Sequence, residues 1–81
     1  MHELSIALSM IDIAQDEAAT RGSEPVTAIY VKIGALSGVT ADALSAAYDL
    51  ARENTALAKT RLVIEEIPGP ELLVTALEFQ S

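Results

Sequence analysis

Read for its apolar positions, the chain begins with a helix pattern. Ser5, Ser9, Asp12 and Asp16 recur at helical spacing and make one polar face from Leu4 to about Thr20. Leu4, Ala7, Leu8, Ile11, Ala14 and Ala18 make a second face, which Ile6, Met10 and Ile13 widen. That apolar arc is broader than one small sheet covers, so part of it is available to a partner. Gly22 suits a helix C-cap, and Pro25 blocks continuation. The period then changes to two. From Val26 to Ile33, Thr27, Ile29, Val31 and Ile33 alternate with Ala28, Tyr30 and Lys32, as in a half-buried strand. A turn-rich stretch, Gly34 to Val39, leads to Thr40, an N-cap candidate with Asp42 in the following turn. A second helix is expected from Ala41 to about Asn54, with Leu44, Ala47, Tyr48 and Ala51 as its stripe. Arg61 to Ile67 and Glu71 to Phe79 read as two further strands. In the last, Leu73, Leu77 and Phe79 fall on one face, and Leu72, Val74 and Ala76 on the other.

The order helix, strand, helix, strand, strand predicts an α/β fold of two helices packed on a small three-stranded mixed sheet. The first two strands flank a helix and should be parallel, with a right-handed crossover. The short Pro68-Gly69-Pro70 link predicts that the second and third strands are antiparallel neighbours. Both helices then share one sheet face, and the other face stays open. An 81-residue chain has room for one core, so residues 1–81 form a single domain. Its core is aliphatic, since Tyr30, Tyr48 and Phe79 are the only aromatics. A homodimer would add stability to so small a core.

Charge removes several function classes. The net charge is −7, and Arg21, Lys32, Arg52, Lys59 and Arg61 are scattered. A nucleic-acid binder needs a clustered basic face, and an anionic membrane surface asks for the same. No run is uniform or long enough to span a membrane. The N-terminal run lacks a basic segment before it and does not read as a signal peptide. With no cysteine, disulfides, thiolate zinc sites and cysteine nucleophiles are excluded, and a cytoplasmic location is expected.

Catalytic chemistry is equally restricted. His2 is the only histidine, and at a chain terminus it is a poor triad base. Glu65 and Glu66 are adjacent strand residues and point to opposite faces. Asp12 and Asp16 lie one turn apart on a solvated face. The chain does not read as an enzyme. Met1-His2-Glu3 differs in kind: the α-amine, the His2 backbone nitrogen and the imidazole can close fused chelate rings on one metal. The Glu3 backbone nitrogen or carboxylate, or a partner group, completes the set. Nitrogen-rich square-planar coordination suits Ni(II) or Cu(II), whereas imidazole alone would suit several metals. An amine of pKa about 7.7–8.0 makes such a site tighten as pH rises past neutrality. The bland alternative is an unstructured terminus.

Met1-His2-Glu3-Leu4-Ser5-Ile6-Ala7 resembles the opening of the HypA/HybF family of nickel metallochaperones. Ile33-Gly34-Ala35-Leu36-Ser37-Gly38-Val39 resembles that family's second signature. Leu62-Val63-Ile64-Glu65-Glu66 is similar to its strand before a zinc domain, and Glu71 to Val74 with Leu77-Glu78 to its closing strand. The resemblance implies Ni(II) bound at Met1, His2 and Glu3 and delivered for nickel–iron hydrogenase maturation, or for urease in some members. It implies a HypB-like GTPase and the hydrogenase large subunit as partners. There are departures. Ile67 to Glu71 runs directly across the place where the family carries two Cys-x-x-Cys pairs, so no structural zinc is expected. Ala35 stands where an acidic residue is common. Thr40 stands where some relatives approach nickel with a carboxylate; Asp42 is the nearest acid and is not assigned as a ligand. The alternative function is a zinc-less HypA-like interaction module that binds a maturation partner without handling metal.

Overall fold

The computed structural model describes residues 3–80. Helix α1 spans Glu3–Thr20, with Glu3 in its first turn, where a carboxylate complements the helix dipole. It ends as its glycine suggests. Gly22 takes φ 72°, its N–H donates to the Ala19 carbonyl (3.3 Å), and the Ser23 N–H donates to the Ala18 carbonyl (2.8 Å). Both carbonyls at the helix end are thereby satisfied in a Schellman cap. The core takes Ala7, Met10, Ile11 and Ala14. Leu4, Leu8 and Ile13 stay nearly half exposed, so the broad apolar arc is covered only in part.

Strand β1 (Val26–Gly34) occupies the centre of the sheet. Strand β2 (Arg61–Ile67) pairs with it in parallel, from Ala28 opposite Arg61 to Gly34 opposite Ile67. Strand β3 (Leu72–Phe79) pairs antiparallel on its other side, from Val26 opposite Phe79 to Ile33 opposite Leu72. The expected mixed sheet and element order are present. The expected β2–β3 hairpin is not: the sheet order is β2-β1-β3. Two strand spacings amount to roughly 10 Å. Residues Pro68 to Glu71 could span up to about 13 Å at ~3.3 Å each, enough to cover that distance even with the bend they make at 68–70. The link therefore steps over the end of β1 instead of turning back beside β2.

The alternation in β3 is also corrected. Tyr30 faces Ala76 and Val31 faces Val74, which leaves Thr75 without a partner on β1. This bulge resets the period, so Leu72, Val74, Leu77 and Phe79 all pack on the core. A second irregularity at Thr27 puts Val26 and Ile29 together in the core, and the Thr27 hydroxyl donates to the Glu78 carbonyl instead (3.1 Å).

Helix α2 (Ala41–Ala51) begins at Thr40, whose hydroxyl accepts from the Ala43 N–H (3.2 Å). It stops three residues before the expected Asn54, which takes φ 62° in a following series of turns. The Thr55 hydroxyl donates to the Arg52 carbonyl (2.7 Å), and Leu57 inserts into the core, which draws the chain off the helix axis. Leu44 and Tyr48 join Ala7, Met10, Ile11 and Ala14 of α1 over Ile29, Val31 and Ile33 in one cluster. Across the opposite face Arg61 reaches Glu78 (2.9 Å) from strands flanking Ala28, which is fully buried, and Lys32 approaches Glu65 (4.0 Å).

Candidate functional site

Chain direction gathers the functional candidates at one end of the sheet. β1 ends at Gly34, and the β2–β3 link closes over it. The Gly34 N–H donates to the Glu71 carbonyl (2.7 Å), Ala35 to Ile67 (2.8 Å) and Leu36 to Gly69 (2.8 Å). A Cβ on Gly34 would lie 2.1 Å from the Gly69 oxygen, so only glycine permits this approach. The first turns of α1 reach the same end, since Ser5, Ile6 and Ser9 share a groove with Leu72, Leu73 and Val74 at the start of β3. Residues 35–40 then deliver the start of α2 with Asp42 in its first turn.

The proposed ligands meet the structure at a single residue. Glu3 is the first residue of α1 and is half-buried. Met1 and His2 lie outside the described residues. Among the described residues, no group of three or more His, Cys, Asp or Glu side chains is arranged to hold a metal. Asp12 and Asp16 are exposed on α1, as a solvated face requires. Glu65 and Glu66 are exposed on β2, with Glu65 facing Lys32. By chemistry alone, the amine, imidazole and carboxylate that the sequence Met1-His2-Glu3 offers fit a borderline cation such as Ni(II).

The strongest polar network lies at the opposite end and was not legible as a group. The Thr60 hydroxyl donates to the Val26 carbonyl (2.6 Å). The Tyr48 hydroxyl (2.8 Å) and the Arg52 guanidinium (2.7 Å) both donate to the Thr60 carbonyl. Burial pushes the Tyr48 hydroxyl pKa upward, and the nearby Arg52 charge opposes that shift. These groups tie the starts of β1 and β2 together. Tyr48 announced itself only as part of an apolar stripe, and Thr60 gave no signal. None of the described helices is long and apolar enough to cross a membrane.

The family model described as "Hydrogenase/urease nickel incorporation, metallochaperone, hypA" matches residues 1–71. A protein named hydrogenase maturation factor HypA from Chloroflexus aggregans is 52% identical over 68 residues, covering 84% of this chain and 60% of that one. Its namesake from Deinococcus radiodurans is 45% identical over 69 residues, covering 85% and 58%. The chain thus spans about 60% of the length of such relatives. The fold is similar to the solution structure of the Ni metallochaperone HypA from Helicobacter pylori, with a TM-score of 0.71 at 17% identity, covering 100% of this chain and 95% of that one. A second solution structure of a HypA protein gives 0.78 at 16% identity, covering 99% and 97%. At those identities the likeness concerns the fold.

Proposed function

This chain belongs to the HypA family, and from that membership we propose that it is a nickel-handling module for hydrogenase maturation. Ni(II) is its cargo. The Met1 amine, the His2 backbone nitrogen and imidazole, and Glu3 are the proposed donors. The observation that carries the reading is that the family match begins at residue 1, so the chelating stretch belongs to the matched segment. Glu3 as the first residue of α1 supports it further, because a ligand stretch joined to a helix start is held close to a rigid element. The module is not an enzyme under this reading. It passes the ion on in the cytoplasm, with a HypB-like GTPase and the hydrogenase large subunit as the partners its kinship suggests. Residues 1–81 act as one domain. The sequence has no cysteine, so a thiolate zinc site is not part of it.

Half-exposed Leu4 and Leu8 on α1 favour a second reading, in which this unit binds a maturation partner without metal. Calorimetric titration of Ni(II) into untagged protein separates the two. One ion should bind per chain. His2→Ala, and one extra residue placed before Met1, should each weaken binding at least tenfold, because loss of outer-shell partners alone costs roughly 10–100-fold at metal sites. Equal binding by all three proteins, or binding by none, overturns the nickel reading. Unchanged hydrogenase maturation with His2→Ala would establish the second.

A further inference from the structure

We propose that the sheet face turned away from both helices is the surface on which two copies of this chain pair, related by a two-fold axis that crosses the strands at Tyr30. The register gives the layout. Ile29, Val31 and Ile33 pack in the core under the helices, so Ala28, Tyr30 and Lys32 point to the other side. Residues paired across strands share a face. Arg61 and Glu78 therefore flank Ala28. Val63 and Ala76 flank Tyr30, and Glu65 and Leu73 flank Lys32. The middle row is uncharged, and the rows on either side of it hold two cations and two carboxylates. Leu73 is 44% exposed on this face.

The order of these charges selects a second copy. The four cancel, with Glu71 one row beyond at the sheet's edge, whereas the chain as a whole carries −7. A copy approaching this face therefore escapes most of the repulsion it meets elsewhere. A two-fold axis perpendicular to the strands lays the Ala28 row over the Lys32 row of the other copy. Arg61 then faces the partner's Glu65. The partner's Lys32 lies over Ala28, which is too small to obstruct it, and reaches Glu78. Each chain already pairs Arg61 with Glu78 (2.9 Å) and Lys32 with Glu65 (4.0 Å). Pairing adds the two missing sides, so four charges alternate around a closed ring, and the axis makes two such rings. Between them Tyr30 meets its own copy, beside Val63 and Ala76, at the roughly 10 Å spacing of packed sheets. An axis along the strands fails the same test, because it sets Lys32 on Lys32 and Glu65 on Leu73. Three rows on three strands make a small patch, so this dimer is of the weak, concentration-dependent kind.

The inference stands apart from the nickel reading, and its test is run on metal-free protein. Sedimentation velocity should show monomer giving way to dimer as concentration rises, and added salt should shift the balance back. Arg61→Glu and Glu65→Lys should each weaken dimerisation by about tenfold or more, because each sets like charges across the axis. Circular dichroism verifies that both variants fold. Mixed in equal amounts, the two variants should pair with each other at close to wild-type affinity, since every contact across the axis is again between opposite charges. A defect of folding in either variant would not be repaired by mixing. Ile13→Glu, on the helix side, and Leu50→Glu, on the exposed side of α2, should leave dimerisation unchanged. A monomer at every concentration up to about 1 mM overturns the proposal. So does a dimer indifferent to Arg61→Glu and Glu65→Lys, a mixture that does not recover, or a dimer abolished by Ile13→Glu, since the copies would then meet on another surface.

Discussion

The two ends of β1 are closed by different chemistry. At Gly34 the closure is backbone to backbone, with three main-chain hydrogen bonds tying residues 34–36 to residues 67–71. At Val26 it is made by side chains, with Thr60, Tyr48 and Arg52 converging on two carbonyls. The first arrangement depends on space and hardly at all on side-chain identity, except at the glycine. The second depends on hydroxyls placed to a few tenths of an ångström. The contrast has a functional sense. The end that carries the start of α1 is held by main chain, so its side chains remain available for ligands and partners. The other end spends its polar side chains on holding the fold.

The sharpest way to break that contrast is Gly34→Ala. The new Cβ would sit 2.1 Å from the Gly69 oxygen and 2.8 Å from both the Glu71 nitrogen and oxygen. All three are backbone atoms, so relief requires opening the closure itself. We expect a loss of about 3 kcal/mol or more, at the upper end for overpacking. For a small domain of ordinary stability, about 5–15 kcal/mol at most, that approaches unfolding. Urea denaturation checks it. A midpoint like that of the wild type would show that the main-chain closure is dispensable.

Thr60→Val probes the other end at nearly constant volume. It deletes a 2.6 Å hydrogen bond from a residue only 1% exposed and leaves the Val26 carbonyl without that donor. The expected cost is about 1–3 kcal/mol by the same denaturation. Tyr48→Phe should cost less, about 1 kcal/mol, because Arg52 still donates to the Thr60 carbonyl. It carries a pH signature as well. The folded Tyr48 hydroxyl holds its proton above the ordinary value of 10.0. Below pH 10 both folded and unfolded chains keep that proton, and the contribution is complete. As pH rises further the unfolded chain loses its proton first, so stability falls. Stability measured from pH 9 upward should fall less steeply in Tyr48→Phe than in wild type.

The legibility of this molecule follows the same division. Periods of 3.6 and 2 are local, so both helices, all three strands and the Gly22 and Thr40 caps could be read in advance. The partner of β3 could not. Pro68-Gly69-Pro70 is as compatible with a turn as with a step over one strand, and only Gly34, distant in sequence, makes room for the step. The bulge at Thr75 was hidden because Leu72 to Phe79 is apolar at most positions, so an inserted residue leaves no break in the pattern. Thr60 was hidden because a hydroxyl buried against a distant carbonyl looks like any other threonine. Of the candidate metal site, the motif and its family kinship were legible. The structure adds the place of Glu3 at the start of α1, and the groove beside it needed the correct sheet order before it could be seen.

The smallest expected effect belongs to the ion pair on the open face. Arg61 and Glu78 flank Ala28 from the two edge strands and meet at 2.9 Å. Their side chains are 62% and 49% exposed, so solvent screening reduces the attraction. A double-mutant cycle with Arg61→Ala and Glu78→Ala should give a coupling of about 0.5 kcal/mol or less, shrinking as salt is added. This outcome would separate the pair from Thr60 and Tyr48, which lie at the same end of the sheet but are buried. A coupling well above 1 kcal/mol, insensitive to salt, would mean that the open face also holds β2 and β3 to the start of β1. The side-chain closure would then extend through the sheet to both faces, and the contrast between its two ends would be wider than the buried network alone makes it.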